Sequence, residues 1–132
     1  MPLDDDRKLF SEQRILHANE CLSDAFDNFR LGNIKTAANR GYYAVFHAMR
    51  AVLAYDDLEL KHHSGVVSEF RRRYLKTEIF PKSYSEIIEA LWNARHSSDY
   101  DDFFTLSSER TAEMLNDASE FVHGIEEYLQ TR

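Results

Sequence analysis

At 132 residues, with 43% hydrophobic and 30% charged side chains but only four glycines and two prolines, the chain has the makeup of one globular domain, residues 1–132, around one core. A formal charge of −7 argues against bulk, sequence-independent binding to duplex DNA, where neutralised phosphates supply most of the affinity. The single cysteine, Cys21, rules out an internal disulfide framework and a thiolate zinc site.

No segment approaches the apolar length needed to cross a bilayer, and "MPLDDDRKLF" lacks the basic and then apolar run of a secretory signal. A cytoplasmic protein without membrane contact is expected. The charge is unevenly spread: residues 33–96 hold ten Lys and Arg against seven Asp and Glu, the remainder six against sixteen. A local basic surface is therefore available, densest in "RRRYLK" at 71–76, although such a run is ordinarily one solvated helix face.

The pattern along the chain is helical throughout. Ile15, Leu22, Phe26 and Phe29 share one face of a first helix over about 5–30, ended by Gly32 in "LGN". Asn33 is a good N-cap for a second helix, "IKTAANRGYYAVFHAMRAVLAY", with Ala38, Tyr42, Val45, Met49 and Val52 as its apolar stripe. Gly41, with alanines nearby, lets another helix approach closely. "DDLELKHHSG" reads as a connection and "SGVVSEFRRRYLK" as a short helix with Val66, Phe70 and Tyr74 on one side. After Pro81, "SYSEIIEALWNAR" places Tyr84, Ile88, Leu91 and Arg95 on one stripe. In the last helix, capped by Ser107 or Ser108, Met114, Ala118, Phe121, Ile125 and Tyr128 form the main row. A second row, Leu115, Val122 and Leu129, is free to serve a partner. The fold class predicted is an all-α, up-and-down bundle of four main helices plus one short helix.

Familiar enzyme patterns are absent. "EFVH" at 120–123 is the only Glu-x-x-His on a predicted helix, which cannot build a di-metal site alone, and there is neither a Gly-x-Ser-x-Gly elbow nor a glycine-rich phosphate loop. No metal and no cofactor are predicted. Tyr43, His47 and Arg50, spaced 4 and 3, share a face of the second helix away from its main stripe and, with Arg95, could line a groove. An arginine on an apolar stripe must be paired or lie at an edge or subunit interface, because an unpaired buried charge is too costly. In "WNARHSSDYDD" the carboxylates of Asp99, Asp101 and Asp102 are available to Arg95, and the plain structural reading is a salt-bridged helix end, weakened by Ser97 and Ser98, with Asp99 starting the loop.

The combination "NRGYYAVFHAMRAVL", "KHHSGVVSEF" and "RHSSDYDDF", followed by an acidic last helix, resembles the HEPN superfamily, in particular its small stand-alone prokaryotic members, often encoded beside a minimal nucleotidyltransferase. The resemblance runs from about residue 10 to 130. It implies a homodimer in which two copies of one motif face each other across a cleft. In catalytic relatives that motif is Arg-x(4–6)-His, a metal-independent ribonuclease site: arginine binds the scissile phosphate and histidine manages protons as the RNA 2′-hydroxyl attacks. In toxin–antitoxin pairs the nucleotidyltransferase can silence the nuclease by modifying a tyrosine near the motif.

Carried over residue by residue, Arg95 matches the motif arginine, while Tyr100 stands where the shortest motif has its histidine. Tyrosine, with a reference pKa near 10, is a poor general base at neutral pH. His96 adjoins Arg95 but lies about 100° round the helix; His47, or His62 and His63 in the connection, are the other candidates to complete the site. Arg95, His96 and Tyr100 are thus the candidate catalytic residues, and Asp99, Tyr43, His47, Arg50, His62 and His63 the candidate binding residues. The leading reading is a HEPN component of a toxin–antitoxin-like pair with a nucleotidyltransferase partner, binding RNA or a nucleotide at a dimer cleft around Arg95. A metal-independent endoribonuclease toxin and a non-catalytic interaction module are the alternatives.

Overall fold

The apolar periods become five α-helices in a computed structural model that describes the chain from Pro2 to Arg132, with side chains from Asp6 onward. These are α1 (Pro2–Arg30), α2 (Ile34–Tyr55), α3 (His63–Phe70), α4 (Ser83–Tyr100) and α5 (Ser108–Gln130), with no strand among the described residues. A π-helical turn, Arg71–Leu75, prolongs α3. The fold is an all-α bundle of four long helices and one of eight residues. No helix among the described residues is long and apolar enough to cross a membrane.

Small residues decide the layout. Ala37, Ala38, Gly41, Ala44, Ala48 and Ala51 leave α2 with little bulk on several sides, and it packs against each of the other four helices. A methyl group on Gly41 would stand 2.8 Å from Leu115 Cδ2 of α5 and 3.3 Å from Leu91 Cδ2 of α4. The close approach read from the sequence is therefore real. All five residues of the α2 stripe, Ala38, Tyr42, Val45, Met49 and Val52, are fully buried, and Cys21 is buried in the same core.

The helix ends follow local chemistry. Gly32, with φ +84°, closes α1: Asn33 N–H donates to Asn28 O and Gly32 N–H to Phe29 O, the pair of bonds that satisfies carbonyls left over at a helix end. Ser107 caps α5, its Oγ accepting from Arg110 N–H at 3.0 Å, with Glu109 in the first turn.

Three expectations are corrected. Asn33 holds the N-cap position of α2, but its side chain donates to Asn28 Oδ1 and caps nothing. Ser97 and Ser98 do not end α4, which runs on through Tyr100 to a cap at Asp101. Side-chain pairs four residues apart straddle the serines, Arg95 with Asp99 and His96 with Tyr100, and such pairs support a helix over weak formers. The second row of α5 is largely covered within the chain: Leu115 and Val122 are fully buried and Leu129 partly so, because α5 lies against α1, α2 and α4 together.

Candidate functional site

The site is assembled where α2, the start of α3 and the second half of α4 meet. Tyr42 is on the buried stripe of α2, and a buried phenol needs a partner for its hydroxyl. It finds one in His63, the first residue of α3: Tyr42 Oη and His63 Nδ1 are 2.8 Å apart. Burial pushes the Tyr42 phenol up to about 12, with Arg95 opposing, so the hydroxyl keeps its proton at neutral pH. The His63 ring stacks on Phe46, 4.2 Å between centroids, and burial first, then Arg95 and Arg50, hold its imidazole below the ordinary range. A neutral imidazole fixed through Nδ1 offers Nε2 as acceptor or donor according to tautomer, the versatility that proton transfer needs.

Arg95 reaches the same place from α4. Its guanidinium carbon lies 5.4 Å from the Tyr42 ring centroid and 5.3 Å from that of Tyr43, within range of attraction to both π faces. Asp99 Oδ2 approaches Nε only to 3.8 Å, and the buried Nε makes no hydrogen bond. With 23% of its side chain exposed, Arg95 is a positive charge steadied by aromatic faces and only loosely balanced by a carboxylate. That arrangement leaves donors of a planar fork for an oxyanion such as phosphate.

The other sequence candidates are distributed differently. Tyr43 joins Tyr42 and Arg95, its ring edge-on to His63 at 5.7 Å. His47, one turn along α2, turns toward α1, where it meets His17 at 5.5 Å. Burial, then Arg50, His17, Arg14 and Arg40, push it down to about 4. Arg50 is committed to Glu59 Oε2 at 3.3 Å, a carboxylate that also receives Arg14 at 3.0 Å. His62 is exposed at the foot of α3. His96 and Tyr100 lie outside the cluster, on the outer side of α4, in a ladder with Trp92: Trp92 and His96 are stacked at 4.8 Å with planes 8° apart, and Tyr100 follows at 4.9 Å. The structure thus brings together Arg95, Tyr43, His63 and Asp99.

Sequence reasoning missed Tyr42 and Trp92. A tyrosine amid an aliphatic stripe was the available signal for the first, and the Trp92, His96, Tyr100 spacing of four and four for the second. No cluster of three or more His, Cys, Asp or Glu placed to hold a metal ion occurs among the described residues.

The HEPN domain family model matches residues 11–128. The chain belongs to the HEPN family. It is similar to a UPF0332 protein of Thermotoga maritima, 29% identical over 113 residues that make up 86% of each chain. Two Methanocaldococcus jannaschii proteins, each carrying the name "Putative toxin", are 29% identical over 93 residues and 34% identical over 83. Those two matches take in 70% and 63% of this chain, and 63% and 62% of the relatives. In this HEPN chain the Tyr42, Tyr43, His63 and Arg95 cluster draws on three separate helices, so it exists only in the folded bundle.

Proposed function

We propose that this toxin-like HEPN protein binds the phosphate of RNA or of a nucleotide at Arg95, as one half of a two-component system whose other half is a minimal nucleotidyltransferase. It works as a homodimer with the two Arg95 sites facing one cleft. The observation that carries the reading is the Arg95 guanidinium itself, flanked by the Tyr42 and Tyr43 rings with its Nε free of any hydrogen bond. Because the Nε is closed to solvent, a phosphate oxygen would meet the part of the fork through which the side chain stays 23% exposed.

The Tyr42–His63 contact favours a second reading beside it, a metal-independent endoribonuclease. His63 then takes the proton of the RNA 2′-hydroxyl as that oxygen attacks phosphorus; the 5′-oxygen leaves with the electron pair of the broken P–O bond and takes a proton from water, and His63 gives its own to the hydroxide so formed, leaving a 2′,3′-cyclic phosphate and a 5′-hydroxyl end. Arg95 would offset charge on the phosphate oxygens.

Binding of a labelled RNA and its cleavage in EDTA test the two together. Arg95→Ala is expected to weaken binding at least tenfold, the scale of a charge-assisted hydrogen bond worth about 1.5–3 kcal/mol. Unaltered binding in that variant would remove the first reading. Cleavage lost in both Arg95→Ala and His63→Ala supports the second, and intact RNA at high protein concentration removes it.

A further inference from the structure

Beside the Arg95 cluster the π-helical turn and α4 enclose an open groove of about 900 Å³. Its walls carry His62, His63, Arg71, Arg72, Lys76 and Trp92, with Glu89 the one carboxylate among the lining residues. His63 lines the groove and also belongs to the Arg95 cluster, so the two adjoin. Two features make this more than a solvated basic helix face.

The first is the turn itself. Lys76 N–H donates to Arg71 O at 2.9 Å, five residues back, so the hydrogen-bonded loop there holds one residue more than that of an α-helix. That residue swings Lys76 round to the side of Arg71, and both side chains line the groove. The Arg71 Nε is buried there without a hydrogen bond, and its Nη2 comes only to 3.8 Å of Glu89. Arg72 is bound to Glu69 at 2.7 Å and contributes less free charge.

The second is the opposite wall. Trp92, 39% exposed, opens the ladder that continues through His96 to Tyr100, which is 75% exposed. Cations facing an exposed indole, with the rings of His96 and Tyr100 beyond the groove, suit a single nucleic-acid strand, phosphates on one side and a base on the other. Duplex geometry hides the bases and would leave the rings unused.

We infer that this groove is the track for a single-stranded segment of RNA, its phosphates on Arg71 and Lys76 and a base stacked on Trp92, leading the strand to Arg95. The inference rests on the proposal that Arg95 receives an RNA phosphate, and it adds where the rest of the strand lies.

The test compares a fluorescein-labelled 12-nucleotide oligouridylate with uridine monophosphate, using the full chain at several salt concentrations. Trp92→Ala is expected to weaken oligonucleotide binding by about 5- to 150-fold with an unchanged salt slope, as the loss of one stacked base requires. Lys76→Ala and Arg71→Gln should each flatten the slope of log K against log salt by about 0.7, as the loss of one phosphate contact on a single strand requires. Uridine monophosphate binding should change in neither case, and matching circular-dichroism melts establish that the variants fold. Wild-type affinity and slope in all three groove variants, with binding lost in Arg95→Ala, would overturn the track and leave the Arg95 reading standing. No binding of the oligonucleotide by the wild-type chain would overturn both. Groove variants that dissociate a dimer in sedimentation while leaving the salt slope intact would also overturn the track, showing the surface to be a protein contact.

Discussion

His47 and His63 show how the same side chain takes two roles from its surroundings. His63 has a hydroxyl partner; His47 has a buried Nδ1 without one, and burial with four nearby cationic or imidazole groups pushes it down to about 4. The unfolded chain, with an ordinary histidine near 6.5, therefore binds a proton that the folded state refuses between pH 6.5 and 4. More protons on the unfolded state mean that stability falls as pH falls through this window. His47→Gln is expected to lose less melting temperature than the wild type between pH 6.5 and 4; parallel curves would show that His47 does not supply the difference. Neither environment was legible in the sequence. Tyr42 meets His63 across 21 residues of chain, and local periodicity carries no information about which distant side chain a stripe residue will meet.

At the level of helices the sequence was far more informative. The stripes of α2, α4 and α5 predicted burial at Tyr42, Ile88, Leu91, Phe121 and Ile125, all of which are in the core. Period identifies an apolar face, yet not its cover, which is why the second row of α5 looked available when α2 and its neighbours already occupy it. Helix ends were harder, since Ser97 and Ser98 suggested a stop and the side-chain pairs spanning them overrode that tendency. The glycine in α2 gives an element-level prediction. Gly41→Ala would press a methyl group against Leu115 and Leu91, and overpacking of this kind costs about 1–3 kcal/mol. Chemical denaturation would measure it; a variant as stable as the wild type would mean the two leucines shift aside freely.

For the molecule as a whole, an acidic chain carries a basic middle, and the bundle converts that middle into a local surface flanked by rings. If two such chains meet with their Arg95 sites across a cleft, Arg95→Ala should weaken the dimer more than the fold. Sedimentation would then show a larger monomer fraction at a nearly unchanged melting temperature, while unaltered association would place the arginine away from the subunit contact. One earlier feature also limits how the segment from α3 to α4 can vary. Within the π-helical turn, the Tyr74 hydroxyl is fastened to Asp56 at 2.6 Å, and Phe80 N–H donates back to Tyr74 O, so the C-terminal side of the turn is anchored twice. The register of the chain ahead of Tyr74 is thereby constrained: exchanging one side chain for another leaves it intact, whereas deleting a single position from Arg71 to Arg73 would rotate Tyr74 and pull its hydroxyl from the carboxylate.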